Sequence, residues 1–174
     1  MTSAVIALGS NLGDREANLR SAVAAIADLG GVAITGASGI VESRALKPDG
    51  VDAAAPQYLN AVLLVDSGIG ALELLDELNR IEAEHGRVRA ERWGDRTLDL
   101  DLLLFGEDVS GTERLTLPHP RAAERAFVVV PWLQADPDAE LPGVGRLDGL
   151  ASAASDDLWE FEAEPLVPSR EGAR

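Results

Sequence analysis

A chain of 174 residues with 46% hydrophobic content and a mean hydropathy of +0.02 suits one domain with a buried core, and no run approaches the ~18 apolar residues of a membrane span. A formal charge of -15 and a pI near 4.4 argue against broad binding to nucleic acid or to an anionic membrane. With no cysteine and only two histidines, His85 and His119, disulfides, thiolate metal sites and a His-rich zinc site are set aside.

The N-terminus, MTSAVIALGSN, lacks a basic stretch and enters a strand pattern at once, so no signal peptide is expected and a cytoplasmic location fits. Ala4–Leu8 reads as a buried strand, turned by Gly9-Ser10-Asn11-Leu12-Gly13. A Gly-rich strand-to-helix turn invites a phosphate-loop reading, but GxxxxGK[ST] is absent and tight-turn geometry is the default. A helix follows from Asp14, with Leu19, Ala22, Val23, Ile26 and Leu29 at helical spacing. Asn11 or Asp14 caps its start and Gly30-Gly31 stops it. Val32–Ser43 reads as a second strand weakened by Gly36 and Gly39, and Arg44–Gln57 as a long loop.

Tyr58–Asp66 reads as a third strand whose parity puts Tyr58, Asn60, Val62 and Leu64 on one face. Tyr58 and Asn60 then sit side by side. They are either a packed Tyr with a surface Asn, or a stacking ring beside an amide that reads a heterocycle. Ala71–His85 reads as a second amphipathic helix, with Asn79 and Glu82 sharing a flank. Leu98–Phe105 is the fourth strand, which completes a βαββαβ order. The expected fold is therefore α+β, a ferredoxin-like sandwich with a C-terminal extension. Such a sheet carries helices on one face and can leave the other open for a ligand.

Beyond it the spacing predicts a short strand near Leu115–Leu117, a helical turn over Arg121–Arg125 and a short helix over Leu147–Ala154. Phe127–Leu133, apolar with Pro131 inside, fits helix or strand. Residues 165–174, with two Pro and no apolar period, are expected to fray, leaving 1–164 as one domain.

The chemistry concentrates in residues 86–105, GRVRAERWGDRTLDLDLLLF. Leu98-Asp99-Leu100-Asp101-Leu102 alternates, so Asp99 and Asp101 share a face roughly 7 Å apart at ~3.3 Å rise per residue. Like charges there repel unless a cation sits between them. Mg²⁺ takes one or two carboxylates and leaves its other positions to water and phosphate oxygens. Upstream, Arg87, Arg89, Arg92 and Arg96 gather against the acidic background, and the Arg fork suits phosphate. Arg beside a carboxylate pair is the equipment of phosphoryl transfer.

The segments IALGSNLGDRE, YLNAV at 58–62, RIEAEHGRVRAERWGDRTLDLDLLLFG at 80–106, LTLPHPR at 115–121 and ERAFVVVPW at 124–132 together resemble the 6-hydroxymethyl-7,8-dihydropterin pyrophosphokinases of folate biosynthesis. The resemblance implies a ferredoxin-like transferase that moves the terminal pyrophosphate of ATP to the pterin's hydroxymethyl oxygen, releasing AMP. It implies that Asp99 and Asp101 hold two Mg²⁺, and that Arg87 and Arg96 contact the phosphates and stabilise the transition state. Tyr58 and Phe127 would sandwich the pterin, with Asn60 at its ring edge. Arg89, Arg92 and Trp93 would lie on a loop that closes over the site, the two Arg toward ATP and Trp93 toward the pterin. Asn79, Glu82, Arg114, Thr116, His119 and Arg125 would serve ATP. The implied partners are these two small molecules, with no nucleic acid or membrane, and a monomer is expected.

Two departures from the family pattern stand out. The pterin-side loop reads Arg44-Ala45-Leu46-Lys47-Pro48 where Thr and Pro are usual, and Asp95 replaces a common Pro before Arg96. Two other readings stay open at this point: a non-catalytic ferredoxin-like binding module, and a metal-dependent phosphodiesterase using Asp99 and Asp101.

Overall fold

The apolar run at the start of the chain becomes β1, Thr2–Ser10, an interior strand of an antiparallel sheet. The structure is a computed structural model that describes residues 1–47, 50–52, 54–86, 97–150 and 157–168. After β1 come α1 (Arg15–Ala27), β2 (Val32–Ala37), β3 (Ile40–Ser43), a small hairpin of β4 (Ala45–Lys47) and β5 (Gly50–Asp52), then β6 (Tyr58–Ser67). These are followed by α2 (Ala71–Glu84), β7 (Asp99–Phe105), the β8 (Ser110–Gly111) and β9 (Thr116–Leu117) pair, and a 3-10 turn over Ala122–Glu124. The chain continues through α3 (Ala126–Ala135), the β10 (Glu140–Leu141) and β11 (Gly145–Arg146) pair, and β12 (Leu158–Phe161).

The main sheet runs β12-β3-β6-β1-β7, with β2 also on β6, and its pairings are antiparallel. The result is a mixed α/β fold. The strand expected over 32–43 is broken in two. Ser38 causes the break: its N–H donates to the Val62 carbonyl at 2.9 Å while its Oγ accepts the Val62 N–H at 2.9 Å. One residue thus takes both backbone groups of Val62, and β2 and β3 pair with different halves of β6.

Each face of the sheet has its own apolar core. On the first, Ile6, Leu8, Leu59, Leu63, Leu100 and Leu102 pack with Leu19 and Ile26 of α1 and Leu74, Leu78 and Ile81 of α2. Asp14 begins α1 with its Oδ1 accepting the Ala17 N–H at 3.0 Å, as an N-cap should. On the second, Val5, Ala7, Val62 and Leu103 pack with Val128, Val129 and Trp132 of α3. Phe127–Leu133 is therefore helical, and the second face is covered along part of its length. A helix that is apolar all round gives no periodic signal, and Pro131 inside it adds a strand-like cue. Residues 147–150 form a turn where a helix was expected, and 151–156 lie outside the described residues.

Residues 164–167 are held against the rest of the fold. Arg20 of α1 donates to the carbonyls of Glu164 and Pro165 at 2.6 and 3.3 Å, and Leu166 and Val167 pack on the first core. This reaches into the stretch expected to fray; 169–174 lie outside the described residues. Among the described residues no helix is long and apolar enough to cross a membrane.

Candidate active site

Register decides which side chains meet. In β6 paired with β1, Asn60 stands opposite Gly9 and Val62 opposite Ala7. In β7 paired with β1, Asp99 stands opposite Gly9 and Asp101 opposite Ala7. Directly paired residues of adjacent strands point to the same face. Asn60, Gly9 and Asp99 therefore form one row across the second face, and Val62, Ala7 and Asp101 the next. At two strand spacings, Asn60 and Asp99 are about 10 Å apart; Gly9 lies between them, and Ala7 holds the same place in the next row. The α3-side core ends at the Val62–Ala7 row, and the Asn60–Gly9–Asp99 row lies past it.

Asn60 is buried, at 4% exposure, so it is not a surface residue. Its Nδ2 donates to Ser43 Oγ at 2.8 Å. Ser43 pairs with Tyr58 in register, which places all three at one corner. With Nδ2 committed to Ser43, Oδ1 turns toward β1: a Cβ built on Gly9 would sit 3.3 Å from it and 3.5 Å from Tyr58 Cδ1. Tyr58 is partly buried. Phe127 opens the first turn of α3, also partly buried, with the Arg125 guanidinium 5.7 Å from its ring centre.

At the other end of the row, Asp99 and Asp101 are both partly exposed. Arg125 Nη1 lies 3.8 Å and His119 Nε2 4.0 Å from Asp101 Oδ2. The His119 N–H donates to the Leu103 carbonyl at 2.9 Å, which fixes the 118–121 segment along β7. Burial holds the His119 imidazole below its ordinary pKa; Arg125 and Arg121 push the same way and Asp99 opposes them. The ring is therefore uncharged at neutral pH, beside Asp101 rather than in a full ion pair with it.

Glu82, expected on the flank of its helix, is 1% exposed. Its Oε2 accepts the Leu100 N–H at 3.0 Å, so it grips β7 between the two aspartates. Asn79 is partly buried one turn earlier on α2. Arg114 is exposed and ion-paired with Asp76 of α2, and Thr116 is exposed on β9. Arg87, Arg89, Arg92, Trp93 and Arg96 lie outside the described residues. Among the described residues no group of three or more His, Asp or Glu could hold a metal ion. Two carboxylates on one face still match the donor set of Mg²⁺, whose remaining positions go to water and phosphate.

Ser43 and Asn18 were not singled out from the sequence, and Gly9 was read there only as part of a turn. Gly9 belongs to the floor of the site rather than to a turn; its signal is the alternation of small Ala7 and Gly9 with bulky Ile6 and Leu8. Ser43 orients the Asn60 amide. Asn18 of α1 donates from Nδ2 to the Thr97 carbonyl at 3.2 Å and the Leu12 carbonyl at 3.0 Å, tying the entry to β7 to the end of β1.

Residues 5–137 match the model of the 7,8-dihydro-6-hydroxymethylpterin-pyrophosphokinase (HPPK) family. The chain belongs to this family. It is 44% identical over 142 residues to a 2-amino-4-hydroxy-6-hydroxymethyldihydropteridine pyrophosphokinase of Haemophilus influenzae, covering 82% of this chain and 86% of that one. To the protein of that name from Bacillus subtilis it is 46% identical over 128 residues, 74% of each chain. Among solved structures, a wild-type Plasmodium falciparum HPPK-DHPS with pteroate has a TM-score of 0.66 at 12% identity, which speaks to fold alone. The match covers 86% of this chain but only 42% of that longer one.

Proposed function

We propose that this protein transfers the β,γ-pyrophosphate of ATP to 6-hydroxymethyl-7,8-dihydropterin, a step of folate biosynthesis. The observation that supports this is the row Asn60–Gly9–Asp99, with the Asn60 amide and the Asp99 carboxylate on one face about 10 Å apart and Asp101 in the next row. We further read the βαββαβ order with strand sequence β3-β6-β1-β7 as a ferredoxin-like sandwich with β12 as its extension.

In this reaction the pterin hydroxymethyl oxygen bonds to the β-phosphorus, the bond from that phosphorus to the α,β-bridging oxygen breaks, and AMP leaves with the electron pair. The hydroxyl proton departs to solvent. Asp99 and Asp101 are the residues that would hold Mg²⁺, two ions on the family pattern. The cation, when bound, neutralises phosphate charge and orients the transferred group. Tyr58 and Phe127 stack on the pterin, and Asn60 presents its Oδ1 to a ring N–H, its Nδ2 being held by Ser43. Trp93 is assigned to the pterin on the family resemblance alone. Arg125 and His119 stand beside Asp101, where Arg125 meets phosphate as a charge and neutral His119 as a hydrogen-bonding ring. Asn79, Glu82, Arg114, Thr116, Arg89 and Arg92 complete the ATP side, with Glu82 acting at least in part through its grip on β7. Arg87 and Arg96 are assigned to the phosphates in the transition state, where preorganised charge is most effective.

The test is incubation with ATP, Mg²⁺ and the hydroxymethylpterin. AMP and a pyrophosphorylated pterin in equal amounts are expected. Hydrolysis of ATP without pterin modification would instead favour the phosphodiesterase reading, and binding without turnover the non-catalytic module.

A further inference from the structure

On the face opposite the site, three elements meet at one carboxylate. Glu42 of β3 pairs with Leu59, while its neighbours Val41 and Ser43 pair with Asn60 and Tyr58. Glu42 therefore points to the α1 side of the sheet, directly behind the Ser43–Asn60 corner. Arg15, the first residue of α1, donates from Nη1 to Glu42 Oε2 at 2.6 Å and to the Gln57 carbonyl at 2.9 Å. Trp159 of β12 donates from Nε1 to Glu42 Oε1 at 2.8 Å. Both carboxylate oxygens are thus occupied, one by the helix and one by the C-terminal strand.

The geometry makes a clamp. Arg15 joins β3 at Glu42 to the residue that precedes Tyr58, so it fastens the ends of two adjacent strands from behind. Those strand ends carry, in front, the Ser43 hydroxyl and the Tyr58 and Asn60 side chains. β12 reinforces the same corner: Leu158 pairs with Ser43, the Arg44 N–H donates to the Asp157 carbonyl at 3.2 Å, and the Arg44 and Asp157 side chains pair at 3.2 Å. With side chains only 27% and 16% exposed, the Arg15–Glu42 pair is partly desolvated, and a charged hydrogen bond in such a setting exceeds the ordinary surface pair.

We propose that Glu42 is a positioning residue for the pterin end of the site, acting through Arg15 and Trp159 from the reverse face of the sheet. This rests on the reading of Tyr58 and Asn60 given above. Glu42 touches neither substrate. It sets the spacing between β3 and β6, on which the Ser43–Asn60 bond and the direction of Asn60 Oδ1 depend. The aspartate end lies two strands away on β7 and is supported separately by Glu82. The effect of Glu42 should therefore divide the two substrates.

The experiment compares wild type with Glu42→Gln, Arg15→Met and Trp159→Phe, none of which empties a core position. Calorimetry gives the Kd for the hydroxymethylpterin and, separately, for a non-hydrolysable ATP analogue with Mg²⁺. NMR of the ligand-free proteins follows the Asn60 side-chain amide. Glu42→Gln and Arg15→Met are expected to weaken pterin binding roughly tenfold, on the scale of one charged hydrogen bond, with nucleotide binding within twofold of wild type. Trp159→Phe should give a smaller loss of the same kind. The Asn60 amide resonance should move in all three. Pterin affinity within twofold of wild type in Glu42→Gln and Arg15→Met overturns the proposal, as does parallel loss of both ligands, which is what a merely structural role predicts. If wild type itself binds no pterin, the reading of Tyr58 and Asn60 fails instead. The Asn60 resonance then judges the clamp alone, and an unmoved resonance in Glu42→Gln overturns it.

Discussion

A methyl group added at Gly9 separates a structural role from a site role, because the two have opposite signs there. Gly9 is not among the glycines with positive φ, so alanine meets no backbone strain. Replacing a glycine at a compatible position stabilises by ~0.4–1 kcal/mol through the unfolded chain. Against that, the new Cβ would stand 3.3 Å from Asn60 Oδ1 and 3.5 Å from Tyr58 Cδ1, close enough that the amide must give by a few tenths of an ångström. The two effects nearly cancel, so net stability should stay within about 1 kcal/mol, or roughly 2–4 °C in Tm for a chain of this size. Pterin affinity has no such compensation. Asn60 is pinned by Ser43 at 2.8 Å and cannot retreat without stretching that bond. A misaligned Oδ1 leaves a buried donor of the ligand unsatisfied, worth about 1–3 kcal/mol, or roughly 5- to 150-fold in Kd. Paired melting curves and calorimetric titrations of Gly9→Ala with pterin and with Mg²⁺-ATP provide the assay. An unchanged Tm with unchanged pterin affinity would refute the floor assigned to Gly9. Equal losses for both ligands would show that the methyl disturbs the whole sheet instead.

Asp99→Ala or Asp101→Ala should abolish AMP formation and leave the melting temperature no lower than wild type, since losing one of two same-face charges relieves repulsion; turnover like wild type in either mutant would remove its metal role. Tyr58→Ala and Phe127→Ala should each weaken pterin binding by roughly 1–3 kcal/mol, the scale of one stacking ring, with far smaller effects on ATP in the same titrations. Glu82→Ala strips the buried acceptor from the Leu100 N–H and should lower stability by about 1–3 kcal/mol in thermal melts; an unchanged Tm would mean water replaces the carboxylate. Arg87→Ala and Arg96→Ala should slow single-turnover chemistry by ~3 kcal/mol or more in barrier, as for a lost transition-state donor, whereas Arg89→Ala and Arg92→Ala should act mainly on ATP affinity; four indistinguishable rate losses would defeat that division.

Up to β7 the two helices and the long strands β1, β6 and β7 were legible from stripes, alternation or apolar runs, whereas the β4–β5 hairpin falls inside the stretch that reads as a loop. β1, β6 and β7 alternate or run apolar, and α1 and α2 carry stripes that lead to their cores. Elsewhere the period alone did not carry the reading. Ser38 breaks a strand by taking both backbone groups of Val62, a contact 24 residues away that no local pattern announces. α3 is apolar on all sides, so its period is lost. At the C-terminus, Leu166 and Val167 show no periodicity, yet they are held because Arg20 reaches the neighbouring carbonyls across the fold.

The candidate site divides in the same way. Parity within one strand was enough to pair Asp99 with Asp101, and Tyr58 with Asn60. It could not say that the two pairs share a face, because that depends on which strand lies between them. β1 does, and its register sets Gly9 against both Asn60 and Asp99. Read alone, Gly-Ser-Asn-Leu-Gly resembles a turn, and the true turn glycine is Gly13, at φ +68°. Once the register is known, the small residues of β1 acquire a reason. A bulky side chain at Ala7 or Gly9 would fill the space between the carboxylates and the amide, where the proposed reaction joins its two substrates. The same step from parity to register finds Glu42, an acid that alternation merely assigns to the opposite face. Only the arrival of Arg15 and Trp159 from far along the chain turns it into a support for that corner.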